Sequence, residues 1–165
     1  MSTSLLKWER ALVDVVTRMT KPTKLSIERV SPTELEPVRR LLSDAVLPTK
    51  GLEETELWCA KDRVGRVVGV AGMEFFGRQG LLRSVAVEAR SRNKGVGIAL
   101  VGRMLEEAKS RKLAEVYLLT ETAPRFFARF GFKRVERRTV KGGVLSSVEF
   151  REVCPDTAPM KLVLS

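Results

Sequence analysis

Apolar positions Leu5, Trp8, Leu12, Val15 and Met19 are spaced alternately three and four apart, and Ser4 stands where it can cap the helix they predict. Thr20 to Thr23, with Pro22, ends it. The seam is short for a coiled coil, so residues 1–23 read as a helical extension packed on its own domain, residues 24–165. The segment KLSIERV then alternates like a half-buried strand. Ser31-Pro32 opens a helix over Thr33 to Val46 with Leu35, Val38, Leu41, Leu42 and Ala45 on one face. ELWCAKD and RVVGVAGMEFFG, joined by a turn at Arg63 to Gly65, and GLLRSVAV after Gly77 to Gly80, predict a three-stranded antiparallel meander.

From Asn93 to about Arg111 the period becomes helical: Val96, Leu100, Met104 and Ala108 form a stripe, with Val101 and Leu105 beside it. EVYLLT is a short buried strand. Strand, helix and strand in this order imply a right-handed crossover, so Leu82 to Val87 should run parallel to Val116 to Thr120. Thr122 is placed to cap a further helix with Pro124 in its first turn, and Gly131 to end it in a left-handed conformation. FKRVERR continues as a strand. Ser146 and Glu149 offer a capping box for a short helix before Pro155, and APMKLVLS closes the chain as a strand.

Composition narrows the chemistry. The chain has 165 residues, 44% of them hydrophobic, enough for one compact domain. Its 30 Lys and Arg against 20 Asp and Glu give a net charge of +10, a field that attracts anions such as nucleic acid, acidic membrane or a phosphorylated cofactor. The absence of histidine removes the commonest general base and metal ligand, so histidine triads and His-ligated zinc are excluded and no metal site is expected. Cys59 and Cys154 form no CxxC and read as reduced, buried small residues, pointing to a cytoplasmic protein. Charged residues interrupt the first twenty positions and nothing reaches membrane-spanning length, so no membrane partner is expected. The basic residues are spread over many elements without interleaved aromatics, which disfavours nucleic acid. Monomer and homodimer both remain open.

RSRNKGVG, Arg90 to Gly97, places cations and two glycines at a strand-to-helix junction. A dinucleotide fingerprint needs a third glycine where Leu100 stands, and a phosphate-binding P-loop needs a Gly-Lys pair that the chain lacks. Backbone N–H groups from Arg92 to Gly97 can instead converge on a pyrophosphate, with no side chain at Gly95 or Gly97 in the way. Asn93 tolerates positive φ, and Arg90, Arg92 and Lys94 can neutralise phosphates.

The pattern Arg92-x-x-Gly95-x-Gly97, the order of elements over Lys24 to Ser165, and the segment ETAPRFFARFGFKRVER resemble the GNAT N-acetyltransferase superfamily. LPTKGLEE, GMEFFG, LLRSVAV, LLTETAPRFFARFGF and EFREVCPDTAPM are further similar to its arsenic-resistance N-acetyltransferase subgroup. The resemblance implies a mixed α/β (α+β) fold: a mainly antiparallel sheet of about seven strands with flanking helices, its parallel central strands splayed at the cofactor site. It implies acetyl-CoA as cofactor and a small-molecule amine as acceptor. It places the acyl carbonyl and pantetheine along the backbone of Val85, Ala86 and Val87, with the Val87 N–H as oxyanion donor, and the phosphates on Arg92, Asn93, Lys94, Gly95, Val96 and Gly97. Thr120, Phe126 and Phe127 fall at the cofactor as well. Many members protonate the departing thiolate with a tyrosine whose place is held here by Phe127, while Thr120 stands where asparagine is common.

An acyl transfer also needs a base for the acceptor ammonium. Glu74, a carboxylate among apolar neighbours, would have its pKa raised toward a useful range, and Glu121 at a strand end is the second candidate. A hairpin centred between Arg78 and Gln79 would instead set Glu74 opposite Arg83 as a cross-strand ion pair. If Arg83 is not consumed that way, it and Ser84 fall on the substrate side. Glu53 and Glu54 belong to a substrate lip. Tyr117, within a strand, reads as packed. The expected function is therefore acetyl transfer to a small or amino-acid-like amine. Acetylation of a protein terminus or lysine is the alternative, together with a catalytically weak acyl-CoA sensor.

Overall fold

The computed structural model describes residues 25–164 together with Glu9 and Arg10, so the seam expected at Leu5 to Met19 lies outside the described residues. Strands β1 (Ser26–Arg29), β2 (Glu56–Lys61), β3 (Val67–Phe76), β4 (Gln79–Val87), β5 (Glu115–Leu119), β6 (Lys133–Arg134) and β7 (Pro159–Val163) form one sheet in the order β1-β2-β3-β4-β5-β7-β6. Every neighbouring pair is antiparallel except β4 and β5. The helices are α1 (Leu35–Asp44), α2 (Val96–Ser110) and the short α3 (Pro124–Ala128).

Strand alternation sorts side chains into two layers. On one face Trp58, Ala60, Met73, Leu82, Val116 and Leu118 pack against the α2 stripe Val96, Leu100, Val101, Met104, Leu105 and Ala108, together with Phe127, Phe130 and Phe132. On the other, Leu57, Val70 and Ala86 receive Val38 and Leu42 of α1, and Leu81 and Tyr117 receive Val140, Val144 and Phe150. Truncating one of the fully buried leucines of α2 to alanine costs about 2–5 kcal/mol in comparable cores. Among the described residues no helix is long and apolar enough to cross a membrane.

Strand β4 departs from regularity in two places. Gly72 pairs with Arg83 and Val70 with Ala86, so Ser84 and Val85 together face the single residue Ala71. This is a β-bulge, with Ser84 held at φ 57. The parallel ladder to β5 consists of Gln79 with Glu115, Gly80 with Val116 and Leu81 with Tyr117. Beyond Leu81 the strands part, so the parallel pairing expected for Leu82 to Val87 is displaced to the start of β4.

Other expectations shift for local reasons. The hairpin turns at Gly77-Arg78, with Gly77 at φ 59 and Phe76 paired with Gln79, which sets Glu74 opposite Leu81 rather than Arg83. Helix α2 begins at Val96, not Asn93, because Asn93 and Gly95 take left-handed backbone at φ 62 and 82. Thr120, not Thr122, meets the chain entering α3: its Oγ1 accepts the Ala123 N–H at 3.1 Å. Of FKRVERR only Lys133–Arg134 pairs in the sheet, after which a tight turn at Arg137–Thr139 leads away. The capping box of Ser146 and Glu149 does not form. Ser146 Oγ donates to the Gly143 carbonyl, and Glu149 opens a single wide turn, Glu149–Val153, with its carboxylate buried. Cys59 is buried as expected, whereas Cys154 is half-buried.

Candidate active site

The bulge and the parting of β4 from β5 open a cavity of about 610 Å³. Residues 82–87 of β4 line one side, residues 118–120 the other, and the start of α2 its mouth. Gly95, at the helix start, holds φ 82, a conformation costly for residues with a Cβ. The first intrahelical bond is the Ala99 N–H to the Gly95 carbonyl, so the N–H groups of Val96, Gly97 and Ile98 precede the helical ladder. All three residues line the cavity, and among the described residues no side chain caps them. Unused amides at the positive end of a fifteen-residue helix suit an anionic ligand. Ser91, Arg92, Asn93 and Arg129 line the same mouth. Arg92 is fixed there by donating from Nε to the Val87 carbonyl at 3.0 Å. Lys94 and Arg90, expected to neutralise phosphates, are exposed and do not line the cavity.

Val85, Ala86 and Val87 line the cavity wall. The Glu88 N–H donates to Val68 of β3 at 2.9 Å, so by alternation the preceding Val87 N–H points away from β3, toward the gap. Thr120, Thr122, Phe126 and Phe127 complete the opposite side. The two phenylalanine rings meet edge-on with centroids 5.0 Å apart. Tyr117 does not line the cavity; it is buried and donates to Glu115 Oε1 at 3.0 Å. Desolvation, then the Glu115 carboxylate, pushes its phenol up from the ordinary range.

Behind Ser84 lies a buried charged cluster. The Arg83 guanidinium, fully enclosed, reaches Glu74 Oε2 from Nη1 at 3.3 Å and Glu149 Oε2 from Nε at 2.7 Å. Its Nη2 donates to the Lys50 carbonyl at 2.7 Å and its Nε also approaches Ser84 Oγ at 3.3 Å. Ser147 Oγ donates to Glu74 Oε2 at 2.9 Å. Arg83 is thus consumed within the protein, through a diagonal rather than a directly opposed pair with Glu74. Glu74 is 2% exposed and does not line the cavity, whereas Glu149, on the far side of Arg83, does. Burial pushes the Glu149 carboxyl up to about 7, against the pull of Arg83 and with help from the Glu74 charge. Glu121 is exposed, accepts from Thr157 Oγ1 at 2.9 Å and stands apart from the cavity. Glu53 and Glu54 are exposed on the short turn Leu52–Glu54. Glu149 is the residue that sequence reasoning assigned to a different task. Its signal was a lone acid between Val148 and Phe150, the same signature that singled out Glu74.

The geometry has a counterpart among known proteins. Residues 53–134 match the acetyltransferase (GNAT) domain family, and with this fold the chain carries a GNAT acetyltransferase domain. An amino-acid acetyltransferase of Mycobacterium tuberculosis is 37% identical over 103 residues, 60% of this chain and 55% of that protein; the chain thus spans about half of that relative's length. A crystal structure of an M. tuberculosis protein in complex with CoA superposes with a TM-score of 0.70 at 26% identity over 85% of this chain and 99% of that one. N-acetylglutamate synthase from Neisseria gonorrhoeae, with CoA and N-acetyl-glutamate, gives a TM-score of 0.73 at 16% identity, covering 88% of this chain and 36% of that one. The sequence relative bears a name for amino acids rather than for arsenic resistance.

Proposed function

We propose that the protein transfers the acetyl group of acetyl-CoA to the amine of a small, amino-acid-like substrate by direct attack while both are bound. The observation that carries this reading is one cavity that joins the uncapped amides of α2 to the Val87 N–H and to a buried carboxylate. The pyrophosphate would lie on the amides of Val96, Gly97 and Ile98, with Arg92 and Arg129 balancing charge. The Val87 N–H would accept the developing carbonyl charge, a role for which a positioned backbone donor contributes about 3 kcal/mol in other acyl transfers. Leu47, Pro48, Leu82 and Leu119 give the acceptor side of the cavity apolar walls. The M. tuberculosis amino-acid acetyltransferase and the N. gonorrhoeae N-acetylglutamate synthase support the same substrate class. The narrower resemblance to arsenic-resistance enzymes is compatible with an amino-acid-like acceptor and adds no residue to the site.

Phe127 has no proton for the thiolate, which favours a second reading, an acyl-CoA-binding protein with little turnover. Thiol release from acetyl-CoA, measured across amino acids, polyamines and peptides, separates these readings. Release with amino acids supports the proposal, release with peptides alone favours protein acetylation, and tight acetyl-CoA uptake without product from any amine favours the sensor.

A further inference from the structure

We propose that Glu149 is the catalytic base, taking the proton from the acceptor ammonium, with Arg83, Glu74 and Ser147 as its positioning residues. This assignment rests on the acetyltransferase reading.

Two buried carboxylates share one buried guanidinium, so the cluster Glu74–Arg83–Glu149 carries one negative charge more than it neutralises when both acids are ionised. The two acids are not equivalent. Glu74 is held by Arg83 Nη1 and by Ser147 Oγ and lies away from the cavity. Glu149 has Arg83 Nε alone among these groups and lines the cavity that would hold the acceptor. The unbalanced charge therefore faces the substrate, where an ammonium completes it.

Two further cations near Glu149, Lys50 and Arg137, are already engaged. From the loop before β2, Lys50 pairs with Glu152. From the tight turn after β6, Arg137 donates to the carbonyls of Phe150, Cys154 and Thr157 and stacks on the Phe150 ring. Cys154, with its thiol pushed up by burial and then by the charges of Glu149 and Glu121, stays neutral and offers no counter-charge. Arg83 alone opposes the cost of ionising Glu149, and it is shared. The resulting upward displacement of the Glu149 carboxyl, to about 7, suits a base that must both accept and release a proton near neutrality.

The step balances. The Glu149 carboxylate takes one proton from the acceptor R–NH3+, leaving a neutral amine. The nitrogen lone pair forms the N–C bond at the acetyl carbonyl, and the C–S bond breaks with its electron pair leaving on sulfur. The second proton lost from nitrogen passes to the thiolate, and the proton on Glu149 returns to solvent. The products are amide, CoA thiol and one released proton.

The test compares wild type, E149Q and E149D by acetyl-CoA calorimetry and by thiol-release rates with the standard L-amino acids from about pH 5.5 to 9. Expected for E149Q are an acetyl-CoA affinity within about threefold of wild type, a kcat lower by about 100-fold and loss of the acidic limb near pH 7. E149D should keep the limb at an intermediate rate. Methoxyamine, which is neutral at pH 7, should shrink the E149Q deficit at least about tenfold, a response that a purely structural role would not give. An E149Q rate within about threefold of wild type with the limb intact, or an equal deficit with methoxyamine, overturns the assignment alone. Should E149Q fail to fold, the E149D profile and its methoxyamine ratio decide by the same criteria. Wild type that binds no acetyl-CoA, or binds it and acetylates none of these amines, overturns the acetyltransferase reading and the assignment with it.

Discussion

A methyl group added at Gly97 would sit 3.4 Å from Phe126 Cζ and 3.6 Å from Val87 Cγ2, distances of ordinary contact. The protein therefore has room for it, and only a ligand crossing the helix start would not. Gly97→Ala should leave the fold intact or more stable by up to about 1 kcal/mol, as alanine is the better helix former, while weakening acetyl-CoA binding at least about tenfold. Gly95→Ala differs, because φ 82 strains any Cβ: it should lose about 1 kcal/mol of stability as well as affinity. Thermal melts and calorimetry on the two variants check both statements. Glu149 links stability to pH. With its carboxyl raised from the usual range to about 7, the folded chain keeps a proton that the unfolded chain has released, so stability falls as pH rises through that window and levels off above it. Glu149→Gln should flatten this dependence, by a few kcal/mol at most, in melts taken from about pH 5 to 8. At this scale the unusual backbone before α2 was legible in the sequence: Gly95 and Asn93 show their tolerance of left-handed torsions in their own chemistry. The base was not, because Glu74, Glu121 and Glu149 are alike as letters, and only tertiary placement sets one beside the cavity, one behind Arg83 and one in solvent.

Among the elements, β4 does most to separate structure from pattern. Its alternation reads as a plain strand, and its direction and neighbours follow from the order of elements. The bulge at Ser84 and Val85, and the turn at Gly77-Arg78 that shifts Glu74 to Leu81, depend on backbone torsions that leave only weak marks in sequence. The same holds after β6, where Arg137 draws the chain toward three carbonyls and FKRVERR abandons its strand pattern. Helices α1 and α2, with long apolar stripes, were read to within a few residues. Ser84 tests the bulge: a β-branched residue at φ 57 is strained, so Ser84→Val should lose about 1–3 kcal/mol of stability and weaken acetyl-CoA binding as β4 flattens. Urea unfolding with and without acetyl-CoA measures both. Arg83→Met should be more damaging, by about 3–5 kcal/mol, because it leaves two carboxylates buried without their shared partner.

For the whole molecule, a net charge of +10 favours a polyanionic ligand before any contact is made. Acetyl-CoA association should slow as salt is raised from about 0.05 to 0.5 M, with dissociation changing less, a trend that stopped-flow fluorescence can follow. Strands β1–β4 and strands β5–β7 meet in the sheet through only three parallel residue pairs, and beyond them the cavity lies where backbone bonds would otherwise be. A bound carrier touching both walls would act as a clasp across that seam. Amide exchange in β5 and the outer half of β4 should then slow on binding far more than in β2 and β3, making the ligand-free protein loosest along the line where the cavity opens.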